Sequence, residues 1–275
     1  MTPAPTGPGT AVQPPDGLRG LLLDIDDTLI STRESMWSAA ATATTTVWPS
    51  VPADRAAEAG VRYRTDPAGH FRAYTRGEHD QAAMRTLRVQ DLAAWLGLED
   101  ECDEEAVRRW REVFDEGLLD GLRVFEDVEP LLRRCRDAGV PVALLTNAPG
   151  DVTEDKLARC GLGALLEGHA VEIVTKDTLG RGKPDPAVFH HACGLLGLPH
   201  GTVAYVGDEL DVDPVAALDA GLGAAWLRRP GYDVTEEDRE LAATRGLAPF
   251  DSLTAAVEAL LPAAATGFGS GASAG

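Results

Sequence analysis

The sequence predicts an α/β fold: an open parallel sheet with helices on both faces, carrying an inserted, wholly helical segment. Three observations predict it. The run Leu21-Leu22-Leu23 leads straight into Asp24, Asp26 and Asp27, and a short continuous apolar run of this kind reads as a strand buried on both faces. From Val124 onward, strand-like runs alternate with helical patterns across short connections, the texture of a parallel sheet. Between these regions, residues 31–121 have little strand character.

Taken in order, residues 1–17 are Pro, Gly, Thr and Ala with neither a positive start nor an apolar stretch, so they read as a flexible leader and not a signal peptide. Leu21 to Asp24 is the first strand. A helix begins at Met36-Trp37-Ser38, is weakened by the β-branched run Thr44-Thr45-Thr46-Val47 and is ended by Pro49. Pro52 to Arg64 suits a second helix with proline near its start. His79 to Leu96 is the clearest helical segment, with Ala83, Leu87, Ala94 and Trp95 near helical spacing and Gly97 as its stop. Asp103-Glu104-Glu105 places acid in the first turn of a helix that continues through Val107, Trp110, Val113 and Phe114. Helices are then expected at Pro130–Ala138, Asp151–Arg159, Asp185–Leu196, Pro214–Ala220 and Ser252–Leu261. Strands are expected at Val140–Leu145, Ala170–Val174, Val203–Val206 and Ala224–Leu227. The expected organisation is therefore a leader (1–17), a core built from 18–30 and 122–261, a helical cap (31–121) that can cover the catalytic end of the sheet, and a small-residue tail (262–275).

The chain has 275 residues, is 44% hydrophobic and carries a net charge of -19. That length supports a sizeable core. No apolar run is long enough to span a membrane. The negative field argues against nucleic acid as a general partner, and a small anionic substrate would need a local cation, although the charge could equally serve solubility. Cys102, Cys135, Cys160 and Cys193 are widely spaced and form no metal-binding pattern. Reduced thiols in a cytoplasmic protein are the simplest account.

Taken alone, the acidic stretch after Leu23 also fits a simple turn. Its company points further. The C-terminal ends of parallel strands converge, and they carry Asp24 and Asp26, then Thr146 and Asn147, then Asp208 and Asp213, with Lys183 in a nearby loop. Several carboxylates in one cleft repel one another unless a hard cation such as Mg2+ relieves them. Lys183 would offset part of the remaining charge and hold a phosphate oxygen, and Thr146 offers a hydroxyl and a backbone N–H. A carboxylate can attack phosphorus, and a second acid two residues on can protonate the leaving oxygen and later deprotonate water.

These residues resemble the haloacid dehalogenase-like superfamily. The resemblance rests on Asp24-Ile25-Asp26-Asp27-Thr28, Leu144-Leu145-Thr146-Asn147, Gly182-Lys183-Pro184-Asp185 and Gly207-Asp208-Glu209-Leu210-Asp211-Val212-Asp213, in that order. It covers about Leu18 to Leu261 and implies a Rossmann-like core with a helical cap inserted after the first motif. It further implies Asp24 as nucleophile and Mg2+ ligand, Asp26 as general acid/base that gives its backbone carbonyl to the metal, and Thr146 and Asn147 as phosphate binders. Lys183 would steady the nucleophile and phosphate, Asp208 would be a metal ligand and Asp213 its support. Glu209 stands where the family often has serine, and is either an outer ligand or loop charge. Asp211 is expected in solvent.

The implied activity is Mg2+-dependent hydrolysis of a small, soluble phosphorylated metabolite through an aspartyl-phosphate. Asp26 disfavours dehalogenation, because a departing halide needs no proton. Phosphonate cleavage by a cap lysine is excluded, since no lysine lies between Ser31 and Phe125. A phosphomutase, or a binding protein that has kept the motifs, remains an alternative, and the oligomeric state is open. In the cap, Arg72, Arg76, Arg85 and Arg88 are candidates to meet the leaving group, or are solvated and paired. Trp37 either lines the cleft or fills a core, while Trp95 and Trp110 fit core faces. His70 and His79 are isolated.

Overall fold

The structure is a computed structural model that describes residues 9–75, 78–167, 169 and 171–261. The expected tail and the first eight residues of the leader lie outside these, as does Arg76. In chain order the elements are β1 (Gly20–Leu23), α1 (Thr32–Val47), α2 (Ala53–Thr65), α3 (His70–Thr75), α4 (Gln81–Leu96), α5 (Glu104–Gly121), α6 (Val128–Asp137), β2 (Val142–Leu145), α7 (Gly150–Cys160), α8 (Leu162–Glu167), β3 (Glu172–Val174), α9 (Lys176–Leu179), α10 (Pro186–Leu195), β4 (Val203–Gly207), α11 (Pro214–Asp219), β5 (Gly223–Trp226), α12 (Glu236–Thr244) and α13 (Leu253–Leu260).

The strands form one parallel sheet in the order β3-β2-β1-β4-β5. Side chains alternate across a strand, and here both faces are covered. Leu21, Leu23, Leu144 and Val206 pack with α6 and α13, while Leu22, Ala143, Leu145 and Tyr205 pack with α10 and α11. This two-sided burial is why the first strand reads as three leucines with no alternation. Register matters for the site: Leu23 pairs with Leu144 on one side and Val206 on the other. Asp24, Thr146 and Asp208, each just past its strand, therefore emerge side by side.

Residues 10–12, expected within the leader, are instead hydrogen-bonded beyond β5. Thr10 and Ala248 exchange backbone bonds of 3.1 Å, and Val12 and Ala224 exchange bonds of 2.8 Å. They cover the sheet edge, which would otherwise expose unpaired backbone groups.

Helices α1 to α5 separate β1 from the rest of the core. α1 runs on through its threonines, and the Thr44 and Thr46 hydroxyls donate to carbonyls four residues back, at 2.8 and 2.7 Å. Thr44 Oγ1 also accepts from the indole of fully buried Trp110. Trp110 stacks on Phe114 at 5.1 Å, and Tyr63 packs against both. On α4 the buried face is Met84, Val89, Leu92 and Ala93, not the Ala83–Leu87–Ala94 stripe expected from spacing. Trp95 is only partly buried, its ring covered by Arg55 at 3.5 Å. α1 and α2 approach so closely that a Cβ on Gly60 would stand 2.4 Å from the Trp37 carbonyl oxygen.

The two chain segments joining these helices to the core lie against each other. Ser31 N–H donates to the Arg123 carbonyl at 2.9 Å and Phe125 N–H to the Leu29 carbonyl at 3.0 Å. Arg229 clamps the same place, binding Asp127 through two bonds (2.7 and 2.9 Å) and the Thr28 carbonyl at 2.6 Å.

Candidate active site

Asp24 follows β1, and its N–H is fixed by the Val206 carbonyl at 2.9 Å. Its Oδ1 accepts from Lys183 Nζ at 2.6 Å, and the same ammonium donates to Asp213 Oδ1 at 2.6 Å and to the Tyr205 hydroxyl at 2.7 Å. All four groups are buried. Asn147 holds the lysine loop, accepting from the Lys183 N–H at 2.7 Å and donating to its carbonyl at 2.9 Å. Asp213 also accepts from the Glu209 N–H at 3.0 Å. That turn closes only over a glycine, because a Cβ on Gly207 would lie 2.4 Å from Asp213 Oδ2.

Oxygens of Asp24, Asp208 and Asp213 lie within 4.8 Å of one another. Asp208 is held by the Trp226 indole, which donates to its carbonyl at 3.0 Å. Burial pushes the Asp24 carboxyl up to about 8 against the pull of Lys183, and Asp213 and Asp26 push the same way. Burial, then Asp27 and the other acids nearby, raise Asp208 well above the usual carboxylate range. Lys183 goes up despite burial, because Asp213 and Asp24 favour its charged form. Three hard oxygen donors, of which Asp24 and Asp208 resist ionisation without a cation, form a site that fits a divalent ion of the Mg2+ type.

Asp26 faces a different group. Its Oδ1 accepts from Lys156 Nζ at 2.7 Å and from the Thr32 hydroxyl at 2.5 Å. Burial alone would raise its pKa. Lys156 and the two hydrogen bonds outweigh that and hold it below the ordinary value. Two acids two residues apart are thus pushed in opposite directions, Asp24 up by burial and Asp26 down by Lys156.

Some expected groups already have partners. The Thr146 N–H is spent on the Val174 carbonyl at 2.9 Å, and its hydroxyl accepts from the Ala148 N–H at 3.1 Å, which leaves its O–H proton to donate. The Asn147 side chain is occupied by Lys183. The N–H groups of Ile25, Asp26 and Asn147 have no acceptor among the described residues, so the backbone beside Asp24 offers further oxyanion donors. The exposed Glu209 side chain lies outside the carboxylate cluster. Arg85 pairs with Asp115, and Arg88 bonds the Tyr63 carbonyl and stacks on that ring at 4.0 Å. Both belong to the packing among the cap helices. Arg72 is exposed on α3. Trp37 is half-buried, with its indole N–H buried and unpartnered.

Sequence reasoning missed Lys156, Tyr205, Arg33, Arg228 and Tyr232. Lys156 carried a signal, being one of three lysines in a strongly acidic chain. Arg33 carried another, since a cation in the first turn of a helix opposes the dipole and needs a reason to stay. Here the reason is Asp27, whose Oδ2 lies 3.5 Å from Arg33 Nε, while its Oδ1 accepts from the Arg33 backbone N–H at 2.7 Å and from the Tyr232 hydroxyl at 2.9 Å.

Residues 18–221 match a model of the haloacid dehalogenase-like hydrolases. The phosphoserine phosphatase of Thermus thermophilus is 32% identical over 158 residues, 54% of this chain and 62% of that protein, so the chain spans less than two thirds of its length. Enolase-phosphatase E1 of Sorangium cellulosum is 32% identical over 63% of this chain and 74% of its own. Among solved structures, the HAD-hydrolase YfnB from Bacillus subtilis, bound to magnesium, superposes with a TM-score of 0.64 at 18% identity, covering 86% of this chain and 96% of that one. Among the described residues no helix is long and apolar enough to cross a membrane.

Proposed function

The chain belongs to the haloacid dehalogenase-like hydrolases, and on that premise we propose that it hydrolyses a small, soluble phosphate monoester through an aspartyl-phosphate on Asp24. The observation that carries this reading is the second acid. Asp26 sits two residues beyond Asp24 and is held by Lys156 and Thr32, where a carbon–halogen hydrolase would need no proton donor.

In the first step an Asp24 carboxylate oxygen attacks phosphorus, the ester P–O bond breaks, and the departing oxygen takes the proton of Asp26. In the second step Asp26, now ionised, takes a proton from water. The water oxygen attacks phosphorus, the bond to Asp24 breaks and inorganic phosphate leaves. One residue thus serves as acid and then as base. Lys183 keeps Asp24 oriented, and the free N–H groups of Ile25, Asp26 and Asn147 receive the phosphoryl oxygens. Asp24, Asp208 and the Asp26 carbonyl would hold Mg2+, with Asp213 beside them. When bound, the ion supplies charge neutralisation for the phosphoryl oxygens.

The test is phosphate release from a panel of small esters, in Mg2+ or EDTA, for the wild type and Asp24→Asn. Metal-dependent release that the variant loses supports the reading. A folded, metal-loaded wild type that releases no phosphate from any ester sinks it.

A further inference from the structure

Two arginines reach the carboxylate cluster and a third stands opposite one of them, each from a separate element, and the phosphoryl chemistry uses none of them. Arg33, near the start of α1, is nine-tenths buried. Its Nη2 lies 3.4 Å from Asp208 Oδ2, and its Nε lies 3.5 Å from Asp27 Oδ2 without completing a hydrogen bond. Arg228, just past β5, sets Nη1 3.7 Å from the same Asp208 oxygen and gives Nε to the Asp233 carbonyl at 2.8 Å. The Tyr232 ring backs both guanidiniums, 4.1 Å from Arg33 and 5.8 Å from Arg228.

The third is Arg64. The short connection after α1 turns the chain back, so α2 runs antiparallel to α1, and the close approach of Gly60 to Trp37 fixes their register. One turn onward on α2 is Arg64, and one turn back on α1 is Arg33, so the two face each other. Half-buried Arg64 makes no hydrogen bond or ion pair among the described residues. It acts electrostatically on Asp27, Glu209 and Arg228. Trp37, one turn along from Arg33, adds its buried, unpartnered indole N–H.

This arrangement is poorly satisfied in itself. Two like charges share one carboxylate oxygen, and that carboxylate also belongs to the cluster that fits a metal ion. A guanidinium N–H and an indole N–H stay buried without acceptors, which a fold does not keep without cause. A planar oxyanion would satisfy these groups, since guanidinium forks match carboxylate and phosphate oxygens.

We propose that Arg33, Arg64 and Arg228, with the Trp37 N–H, bind a second anionic group on the leaving-group side of the substrate, a carboxylate or a further phosphate. This rests on the phosphatase reading for the position of the transferred group. The substrate is then a phosphorylated small acid or a bisphosphate, not a neutral sugar or alcohol ester.

The test is calorimetric binding in millimolar Mg2+ of three non-hydrolysable probes: propylphosphonate, 3-phosphonopropionate and propane-1,3-bisphosphonate. One or both of the doubly anionic probes bind about tenfold tighter than propylphosphonate, the scale of one charge-assisted hydrogen bond. The tighter of the two identifies the group. Arg64→Met and Arg228→Met each weaken that probe about tenfold more than they weaken propylphosphonate. Equal binding of all three probes, no binding of any, or variants that weaken all three alike overturns the proposal. Turnover of p-nitrophenyl phosphate, followed separately, distinguishes the readings. A protein that prefers doubly anionic probes but releases no phosphate from any ester keeps the anion site and loses the hydrolase reading.

Discussion

Lys156→Met separates the stabilising role of the Asp26–Lys156 pair from its role in proton transfer. The pair is short (2.7 Å), with side-chain exposures of 9% for Lys156 and 31% for Asp26. An exposed pair contributes at most about 1 kcal/mol, whereas truncating one side of a fully buried pair costs about 3–5 kcal/mol. Asp26 keeps part of its hydration, so the loss should be about 1–2 kcal/mol, or roughly 2–4 °C for a chain of this size. The sign with pH follows from the depressed pKa of Asp26. The pair contributes fully above the unfolded value near 4 and is lost as pH falls through the folded value. The melting difference between wild type and variant, measured in EDTA, should therefore be full at pH 8 and shrink below about pH 4. The kinetic consequence has its own sign. A general acid donates only while protonated, so activity on an alkyl phosphate declines as pH rises through the pKa of Asp26. Removing Lys156 raises that pKa and moves the descending limb toward alkaline pH. A p-nitrophenolate leaving group needs no proton, so its profile should not move. Equal melting at pH 8, or the same displacement with both substrates, would refute the assignment of Lys156 as the residue that sets the proton affinity of Asp26.

Three further outcomes are expected. Lys183→Met leaves Asp24 and Asp213 buried without their shared cation and should destabilise the protein by about 3–5 kcal/mol at neutral pH; a loss under about 1 kcal/mol in denaturant titrations would mean that the two acids are not ionised together. In EDTA, the raised pKa of Asp24, about 8, contributes stability that is complete below its unfolded value and is lost as pH rises toward 8, so the melting temperature should fall over that window; Mg2+ should remove most of the fall, and an identical decline with and without Mg2+ would count against a metal on this carboxylate. Gly60→Ala should lower the melting temperature even though alanine is the better helix former by about 1 kcal/mol, because the added Cβ meets the Trp37 carbonyl oxygen at 2.4 Å; overpacking of this kind costs about 1–3 kcal/mol, and a variant that melts at or above the wild type would show that the two helices separate freely.

What was legible in the sequence, and what was not, divides along a physical line. Asp24, Thr146 and Asp208 were readable because a parallel sheet turns sequence position into spatial position: a polar residue at the C-terminal end of a buried strand must emerge at one edge, whichever strand it follows. The same rule should have found Arg228, which lies just past β5; it was passed over because no motif marks it. Lys156 obeys no such rule. It acts through a partner 130 residues away, Asp26, and nothing local fixes which way a lysine on α7 points. The cap arginines followed no such rule: Arg85 and Arg88 pair within the cap, Arg76 lies outside the described residues, and Arg33, nearest the chain's exit from the core, sets its guanidinium 3.4 Å from Asp208. The first turn of α1 leaves the core directly beside the carboxylates, where Arg33 meets Asp27 and Asp208. In a fold interrupted after its first strand, substrate-reading groups are therefore better sought within a turn or so of the helix ends that face the sheet than at the centre of the insertion.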